Sequence, residues 1–324
     1  MNGGQKVWPG FVLALFIAVP SGALGNLMPL IGGPVFAILT GMLIAQAHPL
    51  SHWYRTGISF TSKKILQLSI VLIGFGMNLN HILAVGWHSV FLVFSVIITA
   101  LVTAKVLAAF LKVDKNPMTL IGIGTAICGG SAIAATAPII RAKDEEVAMS
   151  ISTIFLFNIV AVLVFPALGR MMGMTDLSFG LWAGTAINDT SSVVAAGQIW
   201  SEEALQTATI VKLVRTLMII PVALLLAFQH TSEKKSSIRL AKLFPWFILF
   251  FLAASMIASS GIMPLDLTGI LSRVGRFFII TAMAAIGLNT NLKKLFTSGL
   301  KPILMGLGCW TAVALVSLLV QRIL

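Results

Sequence analysis

Runs of roughly twenty apolar residues, the length that crosses bilayer hydrocarbon as a helix, follow one another along nearly the whole chain. They cover residues 7–25, 31–47, 63–79, 88–111, 117–140, 147–169, 177–199, 204–228, 243–262, 268–288 and 302–323. No other feature limits the fold as strongly. Backbone polar groups in lipid must be satisfied within the protein, so these segments are expected to form an all-α polytopic transmembrane bundle of about 11 segments, a single domain over residues 1–324. Composition agrees. Hydrophobic residues make up 58% of the chain and charged residues only 10%, against roughly 25% charged in a soluble protein. The formal charge of +12 therefore concerns the two sides of a membrane. It is not read as a nucleic-acid footprint.

Lys and Arg set the expected orientation. With the N-terminus in the cytoplasm and every segment crossing, the inner side receives Lys6, Arg55, Lys63, Lys64, Lys112, Lys115, Arg170, Lys234, Lys235, Arg239, Lys242, Lys293, Lys294 and Lys301. The outer side receives Arg141, Lys143, Arg273 and Arg322, so the bias is fourteen to four. Lys6 followed by the apolar stretch 11–19 resembles a signal peptide, with Ser21-Gly22-Ala23 as a cleavage-like site. Further apolar segments follow at once, which favours an uncleaved first helix. Trp8, Trp87, Trp200 and Trp246 fall near segment ends, as in an aromatic belt, and Pro166 and Pro221 predict kinks.

Several chemistries find no residues to support them. Cys128 and Cys309 lie in apolar segments with neither metal nor disulfide spacing. His48, His52, His81, His88 and His230 map to loops or segment ends. No P-loop, dinucleotide fingerprint or nucleophile–base set is present, so neither an enzyme nor a bound cofactor or metal is expected.

Two segments depart from plain apolar helix. Residues 117–140 contain GTAICGGSAIAA and residues 177–199 contain GTAINDTSSVVAAG. Gly129-Gly130 in one and Asn188-Asp189-Thr190 in the other break helix propensity at mid-depth. Each is either a discontinuous helix that crosses or a pair of half-helices that enters and returns. If both return, the charge bias becomes fifteen to three, so counting charges does not choose. The segments also match each other at an offset of 60: Gly124-Thr125-Ala126-Ile127 with Gly184-Thr185-Ala186-Ile187, Ser131 with Ser191, Ala135 with Ala195. A second pair at an offset of 211 relates Gly76-Met77-Asn78-Leu79-Asn80 to Gly287-Leu288-Asn289-Thr290-Asn291. The second pair runs in opposite directions in this topology, as an inverted repeat requires. Small residues are also ordinary at membrane helix contacts. The order of the two motifs differs between the halves, which leaves the repeat boundaries open.

The residues able to carry chemistry gather in these segments. Asp189 is the only carboxylate deep in an apolar segment, a costly placement that points to an ion or proton pathway or to a helix cap. Lys212 and Arg215, three apart on 204–228, share a helix face; they supply a counter-charge to Asp189 or an anion site, or else snorkel outward or pair with Glu202 or Asp189. A helix broken at mid-membrane exposes N–H groups that attract anions. Gly129, Gly130 and Ser131, with Thr190, Ser191 and Ser192, are the expected anion contacts, and Asn188-Asp189 the expected ion-coupling pair. Thr125, Cys128 and Thr185 are further candidates. Asn78, Asn80, Asn289 and Asn291 sit at segment ends, where C-capping is the simpler role. Asn158 is expected to make an interhelical hydrogen bond, and Asp144-Glu145-Glu146 to favour a helix dipole.

The paired Gly-Thr-Ala segments, with GLNTNLKKL near the C-terminus, resemble the sulfate exporter family of bacterial inner-membrane proteins over nearly the whole chain. That family is similar to the wider group of bile-acid and cation/proton antiporters. The resemblance implies inverted repeats, unwound helices, alternating access of a core against a scaffold and a homodimer. It also places Asn188-Asp189 at the ion site. Cys128-Gly129 stands at the matching place in the first segment, so a second carboxylate is missing there. The expectation is a secondary carrier for a small anion, such as sulfate or a sulfonate, coupled to H⁺ or Na⁺ and embedded in the lipid bilayer. The alternatives are a cation/proton antiporter centred on Asn188-Asp189 and a passive anion channel.

Overall fold

The computed structural model describes residues 7–47, 50–230, 244–291 and 299–323. Lys6, Lys234, Lys235, Arg239, Lys242, Lys293, Lys294 and His48, named above, lie outside the described residues. Among the described residues the regular structure is helical throughout. The order is α1 (Trp8–Leu27), α2 (Gly33–Ala47), α3 (His52–Phe60), a π-helical turn (Thr61–Ile65), α4 (Leu66–Gly74), α5 (Leu79–Leu111), α6 (Lys115–Ala126), α7 (Gly130–Thr136) and α8 (Asp144–Met171). Then follow α9 (Asp176–Ala186), α10 (Thr190–Trp200), α11 (Glu202–Leu217), α12 (Ile219–His230), α13 (Phe247–Ser259), α14 (Leu265–Asn289) and α15 (Leu300–Val320).

Among the described residues, six helices are long and apolar enough to cross a membrane: α1, α5, α8, α14, α15 and the run Glu202–Leu226. α2 and α13 are shorter apolar helices. Trp8, Trp87 and Trp246 are exposed, whereas Trp200 is half-buried and stacked on Phe179. Pro166 lies within α8 without ending it. Pro221 acts at a distance of four residues: α11 stops at Leu217, whose carbonyl a proline ring at 221 would strike.

Two groups of helices are apparent from their packing. α14 lies against α1, α2, α3 and α4, with α13 on α4. The α2–α14 contact is close because glycines face carbonyls: a Cβ on Gly287 would fall 2.3 Å from the Ile38 oxygen, and one on Gly41 2.5 Å from the Ala284 oxygen. α5 packs on α6, α11 and α15, and α8 and α9 complete that second group. α10 touches both groups, through α11 and through α14.

The two broken segments fold back on themselves. Asn116 Nδ2 at the start of α6 donates to Glu146 Oε2 at the start of α8, 3.0 Å away. A Cβ on Gly124 would lie 2.9 Å from Ile133 of α7 and 3.2 Å from Ile154 of α8. α7 therefore turns back along α6, and α8 runs in the same direction as α6. The second segment behaves alike. Trp200 Nε1 at the end of α10 donates to Asp176 Oδ1 at the start of α9 (2.7 Å), and the Trp200 ring stacks on Phe179 with centroids 4.0 Å apart. Gly180 faces Thr207 and Gly184 faces Val211, so α9 and α11 run together, with α10 antiparallel to both.

The long helix α8 connects the two hairpins. The first opens at its start, beside Glu146. The second opens at its end, where Arg170 donates to the Ile199 carbonyl (3.3 Å) and Gly169 packs against Phe179 and Trp200. The hairpins thus enter from opposite ends of α8, and their tips meet beside its middle.

Candidate functional site

The tips are built from the residues that interrupt helix propensity. α6 ends at Ala126 and α7 begins at Gly130; α9 ends at Ala186 and α10 begins at Thr190, the same places in the two matched segments. Gly129 caps α7 at φ 66° and ψ −130°, a conformation that side chains with a Cβ rarely adopt. A Cβ there would lie 3.5 Å from the Asp189 Cβ and 3.6 Å from Asn158 Nδ2. The first tip, the second tip and the middle of α8 therefore converge at Gly129.

Asp189 is the N-cap of α10. Its backbone is extended, at φ −100° and ψ 145°, and its Oδ2 accepts from the Ser191 N–H (3.0 Å) and from the Ser191 hydroxyl. A carboxylate in this position satisfies one of the orphan donors of the first turn and complements the helix dipole. The Asp189 N–H donates to Asn158 Oδ1 (3.2 Å).

Lys212 and Arg215 on α11 are fully buried and close the opposite ends of the two breaks. Lys212 Nζ donates to the carbonyls of Ile127 (2.8 Å), Ile187 (3.0 Å) and Asn188 (2.5 Å). An ammonium has three N–H donors, and all three are used. Arg215 Nε donates to Ala126 O (2.7 Å), Nη1 to Thr185 O (2.5 Å) and Ile187 O (3.2 Å), and Nη2 to Thr125 O. A helix leaves its last carbonyls without partners. At the end of α6, Ile123 O accepts from Ile127 N and Gly124 O from Gly129 N. Arg215 and Lys212 take the next three. The cations thus neutralise the negative ends of both first half-helices, and their N–H groups are directed at backbone.

The remaining candidates are distributed as follows. Ser191 and Ser192 are buried, Thr190 is half-buried, and Ser131 is exposed although its counterpart Ser191 is not. Gly130 is half-buried and Cys128 buried at the tip. Thr185 Oγ1 bonds to Leu181 O (2.6 Å) and shares a hydrogen bond with Ser317 Oγ of α15 (2.6 Å), whereas Thr125 Oγ1 is buried without a partner among the described residues. Asn78 is an N-cap rather than the expected C-cap, starting α5 by accepting from Asn80 N (2.8 Å). Asn80, Asn289 and Asn291 are exposed at helix ends. Glu202 pairs with Arg276 (2.5 Å) rather than with Lys212. The residue that sequence reasoning undervalued is Asn158, which reaches the junction of both tips. Its one signal was an amide in the middle of an apolar helix.

Long apolar helices around a buried polar junction define a membrane protein with transmembrane helices. The family model described as "Conserved hypothetical protein 698" matches residues 9–306. A UPF0324 membrane protein of Streptococcus pyogenes serotype M6 is 50% identical over 325 residues, covering 97% of this chain and 96% of the relative. One from Streptococcus agalactiae serotype V is 48% identical over 98% of this chain and 97% of its own length, and one from Fusobacterium nucleatum 44% identical over 97% of each. The chain belongs to the UPF0324 membrane protein family.

Proposed function

We propose that this protein is a secondary active transporter of a small anion, with the junction of the α6–α7 and α9–α10 tips as its binding site. The observation that carries this reading is the occupation of the freed carbonyls by Lys212 and Arg215. In a broken-helix site, freed carbonyls coordinate a cation and freed N–H groups receive an anion. Here six tip carbonyls, those of Thr125, Ala126, Ile127, Thr185, Ile187 and Asn188, are engaged by protein cations. In the first turn of α10 the Ser191 N–H is held by Asp189 Oδ2, and the N–H groups of Thr190 and Ser192 are the ones this reading gives to the anion. Two buried cations against one carboxylate, Asp189, leave one positive charge at the junction, and that field favours an anion.

Asp189 is the coupling group in this reading. Protonating it raises the positive charge of the junction and strengthens anion binding; deprotonation weakens it. A proton is the coupling ion in this reading, because six of the carbonyls that could ligate Na⁺ are taken by Lys212 and Arg215. Gly129, Gly130, Ser131, Thr190, Ser191 and Ser192 are the anion contacts in this reading, while Lys212 and Arg215 act through charge. The equal break positions and the entry of the hairpins from opposite ends of α8 support an inverted repeat of α6–α8 and α9–α11. The two helix groups supply a core and a scaffold for alternating access. An N-terminus in the cytoplasm of a bacterial inner membrane, and a homodimer, complete the arrangement.

Purified protein in liposomes tests this. Uptake of radiolabelled sulfate or a sulfonate driven by a pH gradient is the expected result. Sodium-dependent proton movement with no anion flux would replace the reading with cation/proton antiport. Anion flux indifferent to any gradient would replace it with a channel.

A further inference from the structure

Buried polar groups in folded proteins are almost always hydrogen-bonded, so a cluster of unpaired ones calls for a partner from outside the chain. Eight buried side-chain polar atoms among the described residues have no partner, and four of them fall at the junction of the tips: Thr125 Oγ1, Asn158 Nδ2, Asn188 Nδ2 and Asn188 Oδ1. Asn158 is 2% exposed and Asn188 1%. Neither is a solvated surface amide.

The two amides are set differently. Asn158 is oriented by the Asp189 N–H, which donates to its Oδ1. Its NH₂ group is then left on the side of Gly129, where a Cβ would approach Nδ2 to 3.6 Å. Gly129 has no Cβ, and one built there would sit in ordinary contact with Ile154, Asp189 and Asn158, so room for about a methyl group lies beside that donor. Asn188 has neither its nitrogen nor its oxygen paired. Turning this amide over exchanges the two atoms but not the set: it offers a donor and an acceptor either way.

We infer that Asn158 and Asn188 recognise the transported ion, and that this ion is an oxyanion bearing a hydroxyl group. This rests on the anion-carrier reading and narrows it. The Asn158 NH₂ and the Asn188 NH₂ donate to the anionic oxygens, alongside the N–H groups at the start of α10. The Asn188 Oδ1 accepts the hydroxyl proton. An anion with acceptors alone, such as sulfate or a simple alkyl sulfonate, leaves that oxygen unpaired and desolvated. A site built to hydrogen-bond a hydroxyl discriminates strongly against the analogue that lacks it.

Pairs of anions that differ only by a hydroxyl in place of a methyl test this directly. Bicarbonate is compared with acetate, and hydroxymethanesulfonate with ethanesulfonate, by competition against flux and by calorimetric binding to the purified full-length protein. The wild type is expected to prefer the hydroxyl member of at least one pair by roughly tenfold or more. Asn188→Leu is expected to abolish that preference. Asn158→Leu is expected to weaken both members of the pair alike. Equal affinity within both pairs in the wild type overturns the inference, and so does wild-type selectivity in folded Asn188→Leu. The wild-type comparison decides even if neither variant folds. Saturable binding of sulfate and ethanesulfonate without hydroxyl preference would overturn this inference and leave the anion-carrier reading standing. No saturable binding of any of these anions would sink both.

Discussion

Lys212 and Arg215 lie one helical turn apart on α11, and between them they hold six carbonyls at the breaks of both helices. Neither hairpin tip is complete without a side chain from a third helix. Replacing Lys212 by Met keeps the side-chain volume and removes its N–H donors. Ile187 O keeps its bond from Arg215, but Ile127 O and Asn188 O lose their donor. An unsatisfied buried carbonyl costs about 1–3 kcal/mol. Lys212→Met should therefore destabilise the protein by about 2–6 kcal/mol, read as a lower melting temperature in detergent. A melting temperature equal to the wild type would show that the tips do not depend on Lys212.

Gly129 and Gly130 are neighbours with opposite tolerance. Gly129 sits at φ 66°, where an added Cβ costs about 1–3 kcal/mol of backbone strain. Gly130 is the first residue of α7, and its nearest foreign atom to an added Cβ is 3.7 Å away. Gly129→Ala should lower the melting temperature and impair flux. Gly130→Ala should change stability by less than about 1 kcal/mol. Equal responses from the two variants would contradict the assigned backbone geometry.

The cap made by Asp189 and the charge of Asp189 are separable. Asn caps a helix about as well as Asp, so Asp189→Asn should keep stability within about 1 kcal/mol, whereas Asp189→Ala should lose about 0.5–2 kcal/mol. Thermal unfolding of the two variants side by side checks this.

The hairpins set which loops share a side. Lys115 and Lys143 flank the first hairpin, and Met172 and Glu203 flank the second; all four are exposed. Cysteines placed singly at Lys115 and Lys143 should react with an impermeant maleimide from one face of the membrane, and those at Met172 and Glu203 from the other. The native Cys128 and Cys309 are buried, so background labelling should be low. Labelling of Lys115 and Lys143 from opposite faces would mean that the first segment crosses.

Much of the site was legible because a membrane makes polar residues conspicuous. Gly129, Asn188 and Asp189 stood out by breaking propensity, and the breaks fall where those residues stand. Lys212 and Arg215 stood out as cations within an apolar segment. Their targets did not, because a cation next to a carboxylate and an anion site looks the same in sequence as a cation aimed at carbonyls. The return of the two hairpins was hidden for a different reason. Arg141, Lys143 and Arg170 exchange sides between the two topologies with almost no change in charge bias. Ser131 and Ser191 matched in sequence, yet one is exposed and the other buried, because α7 lies at an edge and α10 in the interior. Trp200 reads as a belt residue from its place at a segment end, but its stacking on Phe179 and its bond to Asp176 close the hairpin mouth, which a segment-end position does not announce. Asn158 carried no motif at all, and only the packing of α8 against both tips brings it to the centre.

The most direct test of the central claim is the accumulation of a small oxyanion by liposomes carrying the wild type or Asp189→Asn, with the exterior made more acidic than the lumen. The wild type should accumulate the anion above equilibrium in proportion to the pH gradient. Asp189→Asn should equilibrate it without accumulation, since the ionisable group at the junction is gone while its cap remains. Equal gradient-driven accumulation by both proteins would contradict the assignment of Asp189 as the coupling site.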